Sequence, residues 1–181
     1  MRLGATWGAT RAERSGAYPC DGLCGTADAA YFRAVTVNAG AGLVFRWLCQ
    51  LRAAPYSYDW LDNGGRQSPQ SLTPGLERLA AGQTVMKIFE LKHFDASRSL
   101  TVVNKQRRGG REVFGEVWVS YVVESLSGGS CRLIAKVLVR YPRGPTGWLM
   151  RAILPIGDLA MMRRQLLNLK RLAERDLAAA S

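Results

Sequence analysis

The chain has 181 residues, 48% of them hydrophobic and 22% charged, the profile of one ordinary globular domain and neither a disordered nor a fibrous chain. Charged residues interrupt every apolar run well short of the roughly 18 residues that a spanning helix requires, and Gly4 to Gly16 carries Arg11, Glu13 and Arg14 where a signal peptide would be continuously apolar. The formal charge is +11, with 20 Arg against 5 Lys, but the basic residues are scattered, densest at Lys105–Arg111 and Arg163/Arg164, without a nucleic-acid motif beside them. A solvated basic surface in a cytoplasmic protein is therefore expected, with no specific nucleic-acid partner and no transmembrane segment.

Residues 1–29 are rich in Gly, Ala, Ser and Arg without periodicity and read as a disordered extension preceding a domain over 30–181. Cys20 and Cys24 form a C-x3-C pair with no second pair, and His93 is the single histidine. That set is too small for a structural zinc site, so unpaired thiols and no metal are expected. Tyr31 to Asn38 reads as a strand, and Ala41 to Gln50 as a short helix with Val44, Trp47, Leu48 and Leu51 on one face. Tyr56 to Gly82 is irregular and rich in turn residues. Four strands follow: Thr84–Phe94, Ser99–Lys105, Val113–Glu124 and Arg132–Tyr141. Short turns at 95–98, Gly109-Gly110 and Ser127–Ser130 join them into an antiparallel meander.

Alternation assigns faces in the last two strands. Val117, Val119, Tyr121, Val123, Leu133, Ala135, Val137 and Val139 should face a helix, and Glu116, Ser120, Glu124, Arg132, Lys136 and Arg140 should face water. Thr146 to Leu154 reads as a short helix stopped by Pro155 and Gly157. Asp158 then caps a final helix to about Ala178, with Leu159, Met162, Leu166, Leu169 and Leu172/Ala173 as its apolar stripe. The expected fold is α+β: a curved antiparallel sheet wrapped around a long C-terminal helix, with a hollow between them.

This order, with Val35-Thr36-Val37-Asn38-Ala39 leading into Val44-Phe45-Arg46-Trp47-Leu48, resembles the helix-grip fold of the START-like or SRPBCC superfamily, which includes polyketide cyclases and aromatases, pollen-allergen-like proteins and lipid-transfer domains. Tyr58 to Arg66 and Gly157 to Arg163 look like a bacterial branch of its polyketide cyclase/dehydrase-like proteins. The resemblance covers about residues 30–178. It implies a module that holds an apolar, lipid- or polyketide-like molecule without a cofactor, or alternatively a cyclase, aromatase or dehydratase that uses the same cavity.

Candidate ligand contacts follow from that expected hollow. Tyr56, Tyr58, Asp59, Trp60, Asp62, Asn63 and Arg66 place aromatic walls and polar tips in one loop, which reads as a cavity mouth or as a packed turn. Met161, Met162 and Gln165 lie on or beside the inward stripe of the last helix, with Leu169 further along it; adaptable pocket and ordinary core are both open to them. Tyr121 reads either as a core aromatic or as a hydroxyl that polarises a ligand carbonyl. Trp47 and Phe89 complete the candidate lining. His93 has no serine signature around it, and no catalytic residue is assigned.

Overall fold

The computed structural model describes residues 4–105 and 115–180. Seven strands form one curved sheet in the order β1-β2-β7-β6-β5-β4-β3: β1 (Thr6–Trp7), β2 (Ala29–Val37), β3 (Thr84–Val85), β4 (Phe89–Asp95), β5 (Ser99–Asn104), β6 (Glu116–Ser125) and β7 (Cys131–Arg140). Neighbours are antiparallel except β1 and β2. The helices are α1 (Arg11–Ser15), α2 (Pro19–Cys24), α3 (Ala41–Cys49), α4 (Asp59–Asp62) and α5 (Pro145–Ala180). The expected α+β, helix-grip arrangement is thus present, with α5 lying on the concave face. The Gly109-Gly110 turn and most of the Lys105–Arg111 cluster lie outside the described residues.

The strand read as Thr84–Phe94 is two strands. Met86 and Lys87 have φ of 47° and 64°, a left-handed pair that reverses the chain so that Val85 sits opposite Phe89. Long-range contacts impose this turn on two residues that do not favour it. The Met86 amide donates to the Leu51 carbonyl at 2.8 Å, and the Met86 sulfur lies against Gln165. Nothing in the local pattern marks it.

The C-terminal helix also departs from expectation. Pro155 and Gly157 do not end it; α5 runs unbroken through both, and Asp158 is an interior residue, not a cap. Proline forgoes one intrahelical hydrogen bond, a penalty of about 3 kcal/mol or more, which here is offset by packing. Pro155 is buried beside Gly4, and Asp158 is held by an ion pair to β2. Beyond it, Leu166, Leu169, Leu172 and Ala173 are fully buried against the sheet, as the stripe predicts.

The largest departure is at the N-terminus. The described part of the segment expected to be disordered, residues 4–29, is folded over the outer face of the sheet. Tyr18, Cys20 and Cys24 form a second apolar cluster with Phe32, Trp118, Val122, Ile134 and Leu138. The basic residues assigned to water hold this segment down. Arg132 binds Glu13 through Nε at 2.7 Å and Nη2 at 3.0 Å. Lys136 pairs with Asp21 at 2.6 Å and lies over the rings of Tyr18 and Phe32. Arg140 donates to the carbonyls of Cys24 and Thr26. Ser120, also assigned to water, is buried and accepts from the Cys20 amide at 2.9 Å. Each cation contributes little alone; the apolar surface they enclose supplies the stability. All four cysteines are buried and unpaired.

Tyr18→Ala should therefore lower unfolding stability by about 3 kcal/mol in urea titrations. Limited proteolysis should leave residues 4–28 attached under native conditions; their rapid removal would contradict a folded segment.

Candidate functional site

Two sites meet at one end of α5. The first is a buried polar row on the concave face. Alternation along β2 puts Tyr31, Arg33 and Val35 inward, and register aligns Arg33 with Ala135 and Ala135 with Tyr121. Arg33 is fully buried and its Nη2 lies 2.7 Å from Asp158 Oδ2. Its Nη1 donates to the carbonyls of Ala5 and Phe32 at 3.0 and 2.9 Å, and its Nε has no hydrogen-bond partner among the described residues. Burial pulls the guanidinium below the usual arginine range, opposed by Asp158. The same burial pushes the Asp158 carboxyl up to about 6, opposed by Arg33.

Beside this pair, Tyr121 Oη donates to Gln165 Oε1 at 2.7 Å, and Gln165 Nε2 donates to the Pro55 carbonyl at 2.6 Å. Met162 sulfur lies 3.7 Å from the same hydroxyl. Burial, then the nearby Asp158 charge, raises the Tyr121 phenol far above its ordinary range. It is therefore a neutral phenol at all physiological pH values and no base, with its single O–H given to Gln165.

Among the described residues, side chains occupy the middle of the expected hollow between sheet and helix. Trp47, Leu48, Tyr121, Leu133, Ala135, Leu166 and Leu169 all stand there fully buried, because large side chains from α3, β6, β7 and α5 interdigitate. Open space lies at the N-terminal end of α5. A concavity of about 650 Å³ is lined by Arg140, Tyr141, Arg143, Trp148 and Arg151, with Asp28 and Gly147 among its other walls. Gly147 is obligatory, since a Cβ there would fall 1.7 Å from the Pro142 carbonyl oxygen. Asp28 accepts from the Tyr141 amide at 2.9 Å and from Arg151 at 3.3 Å, and the Arg151 guanidinium lies 5.1 Å from the centre of the Tyr141 ring. Arg143 is exposed and has no ion-pair partner among the described residues. The two sites are joined: the Tyr141 hydroxyl is hydrogen-bonded to that of Tyr31, whose ring lies under Arg33 at 5.6 Å.

The candidates named from sequence fall into three groups. Tyr121, Met162 and Gln165 come together in the buried row. Trp47 and Leu169 are core, Trp47 donating its indole N–H to Asp176 at 3.0 Å. Tyr56 is core too, packed edge-on to Trp47, with a hydroxyl that lacks a partner among the described residues; burial pushes that phenol up to about 12. Phe89 and Met161 are half-buried. The 56–66 loop is bonded mostly to its own chain neighbourhood: Asp59 accepts from the Ser68 amide and hydroxyl, Asp62 Oδ2 from Ser57, and Asn63 donates to the Arg66 carbonyl, while Asn168 of α5 donates to the Tyr56 carbonyl at 2.9 Å and Asp62 Oδ1 is buried without a partner among the described residues. Tyr58 sits under Arg164, while Trp60 and Arg66 are exposed. His93 is exposed on β4. Arg33, Asp158, Tyr141 and Arg143 were missed; a lone arginine within a β-branched strand was the one signal available for the first.

No protein-family model matches the chain, and no curated protein is similar to it in sequence. Solved structures are similar. The Zhui aromatase/cyclase from Streptomyces sp. R1128 superposes with a TM-score of 0.54 at 16% identity, covering 84% of this chain and 97% of that one. The di-domain aromatase/cyclase StfQ of the steffimycin biosynthetic pathway gives 0.52 at 12%, covering 82% and 51%. Protein CV1439 from Chromobacterium violaceum gives 0.50 at 13%, covering 80% and 96%. No helix among the described residues is long and apolar enough to cross a membrane.

Because Asp158 binds its proton more tightly folded than unfolded, its contribution is fully present below about pH 3.8 and fades as pH rises through about 6. Asp158→Asn should flatten the fall in stability across that window in chemical denaturation at a series of pH values. Seven strands gripping a long C-terminal helix among the described residues give the chain a helix-grip fold, the fold of these aromatase/cyclase structures.

Proposed function

We propose that the protein binds a small amphipathic molecule, with an apolar or aromatic body and an anionic or carbonyl-bearing end, where the end of β7 meets the start of α5. The observation that carries this reading is the concavity itself, about 650 Å³ with Tyr141 and Trp148 as apolar walls and three arginines around them. That volume suits a drug-sized ligand, and Arg143 offers an uncommitted guanidinium for an oxygen-rich group. The ligand class agrees with the lipid- or polyketide-like guest expected from sequence; its berth is at one end of the helix rather than beneath its middle. Four buried free thiols fit a reducing compartment and hence the cytoplasm.

Anilinonaphthalene sulfonate, an aromatic amphiphile with one negative charge, is a direct probe. Arg143→Ala combined with Arg151→Ala should weaken its binding about tenfold, the scale of one or two charge-assisted hydrogen bonds. Native mass spectrometry of the purified protein should show a co-purified adduct that the double variant lacks. Unchanged affinity and no adduct would exclude the concavity as the berth.

A second reading is supported by the buried row. Tyr121 is a neutral phenol whose O–H, now on Gln165, would turn to the carbonyl of a guest reaching it, and Arg33 with Asp158 supplies a fixed dipole nearby. Such groups suit a cyclase-type step, in which holding a chain near its reacting geometry does most of the work and one donor polarises the carbonyl under attack. Similarity to two aromatase/cyclases is compatible with this reading. In a test with a linear poly-β-carbonyl thioester, the protein should accelerate ring closure, and Tyr121→Phe should reduce that acceleration about a hundredfold. Equal turnover by the variant would remove the proposed donor.

A further inference from the structure

The packing of α5 leaves its first half unexplained. Leu149, Ile153, Ile156 and Ala160 stand at i, i+4, i+7 and i+11, one face of the helix, with Trp148 beside them. They face solvent: Trp148 is 76% exposed, Ile156 63%, Ile153 53% and Leu149 46%. At 1.5 Å per residue the stripe is about 16 Å long. A contiguous band of large apolar side chains left in water marks an interaction surface.

The charge around the band has one sign. Between Arg140 and Lys170 the only carboxylate is Asp158, and it is spent on buried Arg33. Over the same stretch Arg143, Arg151, Arg163 and Arg164 are basic. Arg163 and Arg164 continue the apolar face at i+14 and i+15, exposed, with their guanidinium groups over the rings of Trp7 and Tyr58 at 5.6 and 5.9 Å. Pairing this face with a second copy through a two-fold axis would bring the arginines of both copies together. An anionic surface meets the same arginines with opposite charge, and the whole chain, at +11, favours that encounter.

We infer that the first half of α5 docks in the plane of an anionic lipid bilayer, with Trp148, Leu149, Ile153 and Ile156 at the boundary between headgroups and acyl chains and the flanking arginines on lipid phosphates. Trp148 is suited to that depth, its indole being apolar in body with one N–H for the wet side. The docked face adjoins the concavity, which Trp148 also lines, so an amphipathic ligand would pass between bilayer and berth without crossing water.

The test is sedimentation of the full chain with vesicles of phosphatidylcholine alone or mixed with phosphatidylglycerol. The protein should pellet with the mixed vesicles, and added salt should weaken this. Ile153→Ser with Ile156→Ser should lower the partition at least about tenfold, given the apolar area withdrawn, while the urea midpoint and ligand-probe binding stay unchanged. Arg163→Gln with Arg164→Gln should weaken binding and flatten its salt dependence. Equal pelleting with phosphatidylcholine alone would overturn the inference, as would a serine variant that binds like the wild type, since charge alone would then suffice. A dimer in light scattering that the serine variant abolishes, with no vesicle binding, would assign the face to self-association.

Discussion

A guanidinium pointing into the concave face of an apolar sheet has to be matched there, because an unpaired buried charge is among the costliest features a fold can hold. Arg33 is that group, and Asp158 is its match. Their contact fixes which turn of α5 lies over β2 and so sets the rotation of the helix about its own axis. With Asp158 turned inward, Met162, Gln165, Leu166 and Leu169 follow toward the sheet, and Leu149, Ile153 and Ile156 are left outside. The same constraint carries the helix through Pro155 and aligns Gln165 with Tyr121. The pair gains little net energy beyond its own desolvation, but it selects one arrangement of helix on sheet.

The outer face obeys a complementary rule. A sheet with Phe32, Trp118, Val122, Ile134 and Leu138 on its convex side needs a cover, and residues 4–29 provide it. Arg132, Lys136 and Arg140 run along β7 at four-residue intervals on one side of the strand, and each secures a different part of the covering segment. Part of the chain's large positive charge is therefore structural and already neutralised. Other basic groups stay on the surface, among them Arg143 just before α5 and Arg163 and Arg164 in its middle, all exposed.

Function is bound up with that end of the helix. The concavity, the Tyr141–Tyr31 hydrogen bond and the Arg33–Asp158 pair form one connected polar path from solvent to the core. A binding module needs only the outer part of that path. A catalyst would also use the inner part, where Tyr121 and Gln165 are preorganised in a low-dielectric setting. The two readings differ in how far the guest penetrates, and the filled core beneath the middle of α5 favours the outer one.

Much was legible in local pattern. Period-two alternation placed Tyr121 and its row on the inner face, and the stripe from Met162 to Ala173 placed the last helix against them, because both periods follow from backbone geometry alone. Gln165 and Met162 were recognised for the same reason. What stayed hidden was decided by partners distant in sequence. The aperiodic head reads as disorder until Trp118 and Phe32 are seen to need covering. Pro155 reads as a stop until Arg33 is placed opposite Asp158, and Met86-Lys87 reads as strand until Leu51 and Gln165 pull it into a turn. The aromatic 56–66 loop promised a pocket by composition, yet its carboxylates bond close by to Ser57 and Ser68, with Asp62 Oδ1 alone left without a partner among the described residues. Periodicity records which way a side chain points; only the folded arrangement of remote segments determines what it meets there, and hence where space remains for a ligand.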